Sequence, residues 1–405
     1  MVSAPRFLSL NQCLGVKATV SSAVSSAVSS AVSSAVLSAA LSVALFLSCT
    51  LAQDLVVGVS FDGGDWFDRS FNEGTWNGVK RAVDGLDDKD IDVIVYNDPT
   101  GSRFRGLDKI AETGLDIMVS AGFLQADAIA EASADFPDIN FVLIDAVVEN
   151  DNVRSVLFRE QEGSFLVGYL AGSLTRSGVL GFVGGMDIPL IRAFDLGYQE
   201  GVLAACPDCE IRSDYIGTTA EAWNDPERAF ELAEAQQANG ADIIYAAAGA
   251  SGNGVIDFVT SVACYTPEVG RDTPLTSILT SLAKSEVYNR SCGADSHPLF
   301  FIGVDSNQNY QGDTDNDPET LNHGLTSMLK RVDVAAFNAV NDVNGNSFTG
   351  GIQNLGLAEE GVGYALDEYN RALIPEGLVA ELERIKAEII SGERPVTDYR
   401  EIVGE

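Results

Sequence analysis

The stretch VVGVSFDGGDWFDRSFNEGTWNGVKRAV, Val56 to Val83, decides the fold. An unbroken apolar run, Val56 to Phe61, predicts a strand buried on both faces; it runs into Asp62-Gly63-Gly64 and then an aromatic loop. Ser70 and Glu73 have the spacing of a capping box, and Trp76, Val79 and Val83 share one helical face, so a helix is expected to start at Ser70 and pack back on the strand. This order places Asp62, Ser70, Phe71 and Asn72 at the carboxyl end of the first strand, where open α/β sheets take small polar ligands.

The alternation continues along the chain. Strands are predicted at Asp92–Asn97, Ile117–Gly122 and Asn140–Asp145, with helices around Leu107 and from Gln125 between them. A second series follows: a helix from Glu162 to Arg176, a strand at Val179–Gly185, a helix from Ile191, a strand at Glu210–Gly217, a helix from Pro226 to Asn239, a strand at Ala241–Gly249 and a helix from Gly254. After a polar insertion come Leu299–Asp305, Leu325–Asp333 and a closing helix, Pro375–Ser391. Apolar strands separated by helices imply right-handed crossovers and parallel sheets, and two units of similar size suggest two lobes.

The composition agrees. A chain of 405 residues, 46% hydrophobic, can fill two cores. With 25 Lys+Arg against 59 Asp+Glu, its formal net charge of -34 repels nucleic acid and anionic membranes and suits salty or extracellular surroundings. Residues 1–52 are a different material. Arg6 and Lys17 precede a VSSA repeat (Val20 to Ala35), an apolar run (Val36 to Leu47) and SCTLAQ, which together read as a long secretory signal peptide. Thr50-Leu51-Ala52 offers an exit before Gln53. The alternative is a lipobox-like FLSC that would leave a lipid-anchored Cys49, although Phe46 stands where such boxes usually carry Leu. The serine repeat dilutes the one stretch long enough to span a membrane.

Beyond the signal, Cys206, Cys209, Cys264 and Cys292 suit an oxidising compartment. Cys206-Pro-Asp-Cys209 follows a helix in a surface turn, which favours a structural disulfide over a thiol catalyst. Cys264 and Cys292 form the second candidate pair.

Strand ends carry the chemistry. Asp62, Asp145 and Asp305 each follow an apolar strand, and Gly122, Gly184-Gly185 and Gly249 end three others. Carboxylates accept paired hydrogen bonds from vicinal hydroxyls, and glycine lets backbone approach a ligand.

Asp62-Gly-Gly, Asp68-Arg-Ser-Phe-Asn72 and Trp76-Asn-Gly78 resemble the opening of the basic membrane protein (BMP) family, the nucleoside-binding components of ABC importers. The resemblance continues through Pro137–Asp145, Glu162–Gly172, Gly181–Val202, Ala222–Pro226, Gly240–Val255, Phe301–Gln308 and Leu325–Asp333. It implies a two-lobed type I periplasmic-binding-protein fold, each lobe a parallel sheet flanked by helices, with a nucleoside, purine favoured, in the cleft between lobes. Phe71 would then stack on the base, with Asp62, Ser70 and Asn72 near its edge. Asp145 would read the base, Asp305 the ribose hydroxyls with Lys330 beside them, and Gly249 and Gly252 would bring in backbone from the second lobe. Trp223 is a candidate second stacking face, and Trp66 and Phe67 lie beside the first. On this basis lobe 1 comprises 53–153 plus 298–332 and lobe 2 comprises 154–297 plus 333–405, with crossovers near 150–156, 293–299 and 331–336.

Three features depart from that pattern or compete with it. The insertion at 260–298 is expected near the cleft mouth. Gly312–Glu319 begins like a calcium loop, but Pro318 and Gly324 stand where Gly and Glu are needed, so no metal site is expected. Gly249, Gly252 and Gly254 follow a strand as a dinucleotide site would, yet they lie mid-chain and none of the 11 tyrosines has a lysine four residues on. Neither His297 nor His323 sits as a catalytic base. The sequence therefore points to a non-enzymatic, monomeric, extracytoplasmic binding protein, periplasmic or at the cell surface. It needs no cofactor and serves an ABC permease. A ligand sensor for another small polar solute is the alternative, and a nucleotide-cofactor enzyme a more distant one.

Overall fold

The computed structural model describes residues 55–97 apart from 62, 64, 65, 87, 88 and 90, and residues 114–404 apart from 267–269 and 294. The expected signal peptide, its alternative exit at Cys49, the helix around Leu107 and Asp62 lie outside the described residues.

Among the described residues the chain runs β1 (Leu55–Phe61), α1 (Phe71–Asp84), β2 (Ile91–Asn97), β3 (Ile117–Ala121), α2 (Ala126–Asp135), β4 (Asn140–Ile144) and β5 (Val153–Phe158). It continues with α3 (Glu160–Leu174), β6 (Val179–Met186), α4 (Pro189–Ala205), β7 (Glu210–Gly217), α5 (Pro226–Ala238), β8 (Ile243–Ala247) and α6 (Gly252–Val262). The insertion contributes β9 (Cys264–Tyr265), α7 (Pro274–Ser281), α8 (Glu286–Ser291) and β10 (His297–Pro298). The closing part holds β11 (Phe300–Asp305), β12 (Gly324–Lys330), α9 (Val332–Asn344), β13 (Gly351–Leu355), β14 (Val362–Tyr364), α10 (Glu376–Ser391) and α11 (Tyr399–Val403).

Two six-stranded sheets result. The first has the order β13-β5-β4-β3-β1-β2 and is parallel throughout. The second has the order β14-β12-β11-β8-β6-β7, parallel except for the β14 edge. Every residue of β1, β3, β8 and β11 is buried, as strands covered by helices on both faces must be.

The lobe boundaries differ from the expected ones. Residues 298–332 do not belong to the first lobe: β11 pairs with β8 on one side and β12 on the other, which fixes both in the second sheet. The chain returns only afterwards, when α9 packs on α1 and β13 adds to β5. The α1–α9 contact is so close that a Cβ on Gly78 would fall 2.2 Å from the Asp333 carbonyl oxygen. The crossovers are therefore at Phe158–Glu160, at Lys330–Val332 and between Leu355 and Val362. The segment 293–299 is no crossover; there β10 pairs with β9.

Glycines inside α3 and α4 serve packing of the same kind. Cβ atoms on Gly168 and Gly201 would meet the Tyr198 and Phe165 carbonyls at 2.3 and 2.1 Å, so these two helices touch backbone to backbone. Disulfides join Cys206 to Cys209 and Cys264 to Cys292.

Candidate functional site

The carboxyl ends of strands from both sheets converge on one cavity with an empty volume of about 630 Å³, its open mouth included. The first sheet supplies Gly63 after β1, Phe123 after β3 and Asp145 after β4, with Asp68, Phe71 and Asn72 from the start of α1. The second supplies Leu190, Ile191 and Phe194 after β6, Trp223 after β7, Ala247 to Ala250 at the end of β8, Asp305 on β11 and Lys330 on β12.

The start of α1 is held differently from the sequence expectation. Ser70 is the N-cap, but its side chain makes no cap hydrogen bond. Asp68 does that work: its carboxylate accepts the backbone N–H groups of Ser70 (2.8 Å), Asn72 (3.0 Å) and Glu73 (3.0 Å). The Ser70 hydroxyl is thereby released to donate to Asp305 Oδ2 at 2.6 Å, and Ser306 Oγ donates back to the Ser70 carbonyl at 2.9 Å. Together with Gln308, whose amide donates to the Arg69 carbonyl, these bonds fasten the α1 loop of the first lobe to the second.

Asp145 and Asp305 occupy the left-handed region, with φ of 71° and 63°. Few non-glycine residues sit there, at a cost of order 1–3 kcal/mol each, and such strain clusters at functional sites. Lys330 is 2% exposed; its ammonium lies 2.7 Å from Asp145 and 3.0 Å from Glu160. The rings of Phe71, Phe158 and Phe194 surround it at 5.3, 5.2 and 5.6 Å. Arg400 pairs with the other oxygen of Glu160 at 3.0 Å.

Burial pushes Asp68, Asp145 and Asp305 up to about 6; three backbone donors oppose it at Asp68, and the Lys330 charge opposes it at the other two. Burial works against the charge of Lys330, but Asp145, Glu160 and Asp305 outweigh it and hold the ammonium above its usual range. Around the cavity Asp68, Asp145, Glu160 and Asp305 outnumber Lys330 and Arg400, so the surroundings favour a neutral or cationic solute over an anionic one.

Trp223 forms the opposite wall. Its turn, Ala220–Trp223, is tied down by Ser251, whose hydroxyl donates to the Ala222 carbonyl at 2.8 Å and accepts the Asp225 N–H at 2.7 Å. Gly185 leaves room for the indole, since a Cβ there would lie 2.3 Å from the ring.

Of the residues expected at the site, Phe71, Asn72, Asp145, Trp223, Gly249, Asp305 and Lys330 line the cavity. Ser70 sits behind it, and Asp62 lies outside the described residues. Gly252 is not among the lining residues; it opens α6, where a Cβ would make an ordinary 3.5 Å contact with Ala246. Trp66 and Phe67 join Phe61 and Trp76 in an aromatic cluster that does not line it. Neither does any described residue of the 260–298 insertion. Sequence reasoning missed Asp68, Phe123 and Phe194, and also Glu160 and Arg400 behind Lys330. Asp68 had a readable signal, an Asp two residues before a helix N-cap.

The sequence from 55 to 398 matches the family described as Bmp, ABC transporter substrate-binding protein PnrA-like. The chain belongs to this family. Basic membrane protein A of Borreliella burgdorferi is 29% identical over 366 residues, covering 88% of this chain and 93% of that protein. The ABC transporter nucleoside-binding protein BmpA of Lactococcus lactis is 25% identical over 319 residues, covering 78% and 82%. The crystal structure of an ABC transporter system solute-binding protein from Aeropyrum pernix superposes with a TM-score of 0.66 at 26% identity, covering 87% of this chain and 97% of that one. The two-lobed type I periplasmic-binding-protein fold is therefore the fold of this Bmp protein, and its family role is that of a solute-binding subunit rather than an enzyme.

Such a subunit takes a small solute and works with an ABC permease. Of the glycines that suggested a dinucleotide site, Gly254 has a packing role in this Bmp protein: a Cβ there would sit 1.9 Å from the Pro226 carbonyl oxygen, where α6 crosses α5. Asp313 Oδ1 accepts the backbone N–H groups of Asp315, Asn316 and Asp317, and no described group of acidic, His and Cys side chains has a metal-binding arrangement. Among the described residues no helix is long and apolar enough to cross a membrane.

Proposed function

We propose that this protein captures a nucleoside, purine favoured, between its lobes and presents it to a membrane permease. The observation that carries the reading is the pairing of aromatic walls with strand-end carboxylates: Phe71 and Trp223 face the cavity from different lobes, as do Asp145 and Asp305. A flat base suits the rings, at about 1–3 kcal/mol per stacked base. A vicinal diol suits a carboxylate acceptor, and a site built for hydroxyls rejects analogues that lack them. The acidic surroundings disfavour nucleotides. The similarity to a relative named as nucleoside-binding points the same way.

In this reading Phe71 stacks on the base, with Asp62 and Asn72 near its edge and Ser70 holding Asp305 from behind the cavity. Asp145 reads the base and Asp305 the ribose, beside Lys330; Gly249 adds backbone and Trp223 the second face. Ligand contacts from both lobes favour the closed form that the permease recognises. The protein acts as a monomer after export through the signal in residues 1–52, soluble from Gln53 or lipid-anchored at Cys49.

Calorimetry of the purified protein against purine and pyrimidine nucleosides, free bases, pentoses and nucleoside monophosphates tests this. Saturable binding of a nucleoside, with weak binding of its base, sugar and phosphate ester, is expected. Binding of a pentose alone, or of none of these compounds, would overturn the assignment.

A further inference from the structure

We propose that the C-terminal helix α11 is part of the capture machinery, through Arg400 as a positioning residue. Arg400 Nη2 lies 3.0 Å from Glu160 Oε2 and donates to the Phe158 carbonyl at 3.0 Å, so one guanidinium grips the last residue of β5 in the first lobe and the first residue of α3 in the second. That is the first crossover between the lobes. Glu160 is fully buried, and its other oxygen lies 3.0 Å from Lys330, the last residue before the second crossover. Lys330 in turn donates to Asp145 at 2.7 Å, at the wall of the cavity. An unbroken line of alternating charges thus runs from the C-terminal helix through two crossovers to the ligand cavity.

The consequence follows from charge balance. Lys330 is shared between two buried carboxylates. With Arg400 present, Glu160 has a second cation and Lys330 is left to serve Asp145. Without it, Glu160 depends on Lys330 alone and draws the ammonium away from the cavity, leaving the buried Asp145 carboxylate under-compensated.

The inference rests on the cleft being the ligand site, and the test separates the two claims. Binding of adenosine and guanosine is measured by calorimetry for the full chain and for R400A, R400K, E160Q and the double variant R400A/E160Q, with thermal unfolding of each in the absence of ligand. R400A is expected to bind at least tenfold more weakly, R400K to recover part of that loss, and R400A/E160Q to return to within about threefold of wild type, because removing the charge on Glu160 makes Arg400 dispensable. A merely structural Arg400 predicts the opposite, a double variant as weak as R400A or weaker, and that result would overturn the proposal, as would wild-type affinity in R400A. Should the wild type bind neither nucleoside, the nucleoside assignment fails. The charge relay then stands if the double variant melts above R400A, and falls if it melts at or below it.

Discussion

Ser70 Oγ donates to Asp305 Oδ2 at 2.6 Å, joining the cap of α1 in the first lobe to the end of β11 in the second. Both residues are buried, and Asp305 is held in the left-handed region, so the bond fixes the orientation of a carboxylate that its backbone alone would not favour. Ser70→Ala should weaken nucleoside binding about fivefold by leaving Asp305 unheld. Asp305→Ala should weaken it at least tenfold, with each variant still unfolding cooperatively. Calorimetry beside thermal melts checks this; wild-type affinity in both variants would remove Asp305 from the site.

Phe71 carries a separate prediction. Its ring lines the cavity and lies 5.3 Å from the Lys330 ammonium, so truncation removes both a stacking face and a partner of the buried cation. Stacking worth about 1–3 kcal/mol corresponds to roughly fivefold to a hundredfold in affinity. Phe71→Ala is expected to lose at least tenfold, and Phe71→Trp, which keeps a π-face, much less. Equal losses in the two variants would mean that shape rather than stacking matters.

The strand-end residues could be read because the signal is local: an apolar run stopping at Asp145 or Asp305 marks a buried strand delivering a carboxylate to a sheet edge. The lobe to which β11 and β12 belong could not. Both are apolar, compatible with either sheet, and only the pairing of β11 with β8, and of β12 with β11, decides. The expected capping box failed because Asp68, two residues earlier, captures the backbone donors and leaves the Ser70 hydroxyl for Asp305. Glu160 and Arg400 were invisible for a different reason. They are 240 positions apart in the chain and acquire their roles only where the folded chain brings them together.

The disulfide in the insertion offers a control with the reverse signature. Cys264 and Cys292 are 28 residues apart, and closing a loop of that length stabilises by about 3–4 kcal/mol in the chain-entropy account. No described residue between 260 and 298 lines the cavity. C264S/C292S should therefore lower stability towards urea or local protection in hydrogen exchange across the insertion, while nucleoside affinity changes less than twofold. A large affinity loss with intact protection would place the insertion in the ligand's path.

Acidification should drive stability and binding in opposite directions. Asp68, Asp145 and Asp305 titrate near 6 in the folded protein against an ordinary value of 3.8, so between those values the folded state holds more protons than the unfolded one. A raised carboxylate contributes stability that is fully present below about pH 4 and is lost as pH rises through about 6, on the order of 2–3 kcal/mol per group at most. Ligand-free protein should therefore melt higher at pH 5 than at pH 7.5. The same protonation removes the acceptor that a diol needs, so nucleoside affinity should fall over that interval. Relief of the net charge of -34 also favours the acid side, which makes Asp305→Asn the informative comparison. It is neutral at every pH, so its melting temperature should rise less steeply on acidification than that of the wild type, and its residual affinity should lose part of its pH dependence. Parallel profiles for the two proteins would show that Asp305 does not titrate in this range.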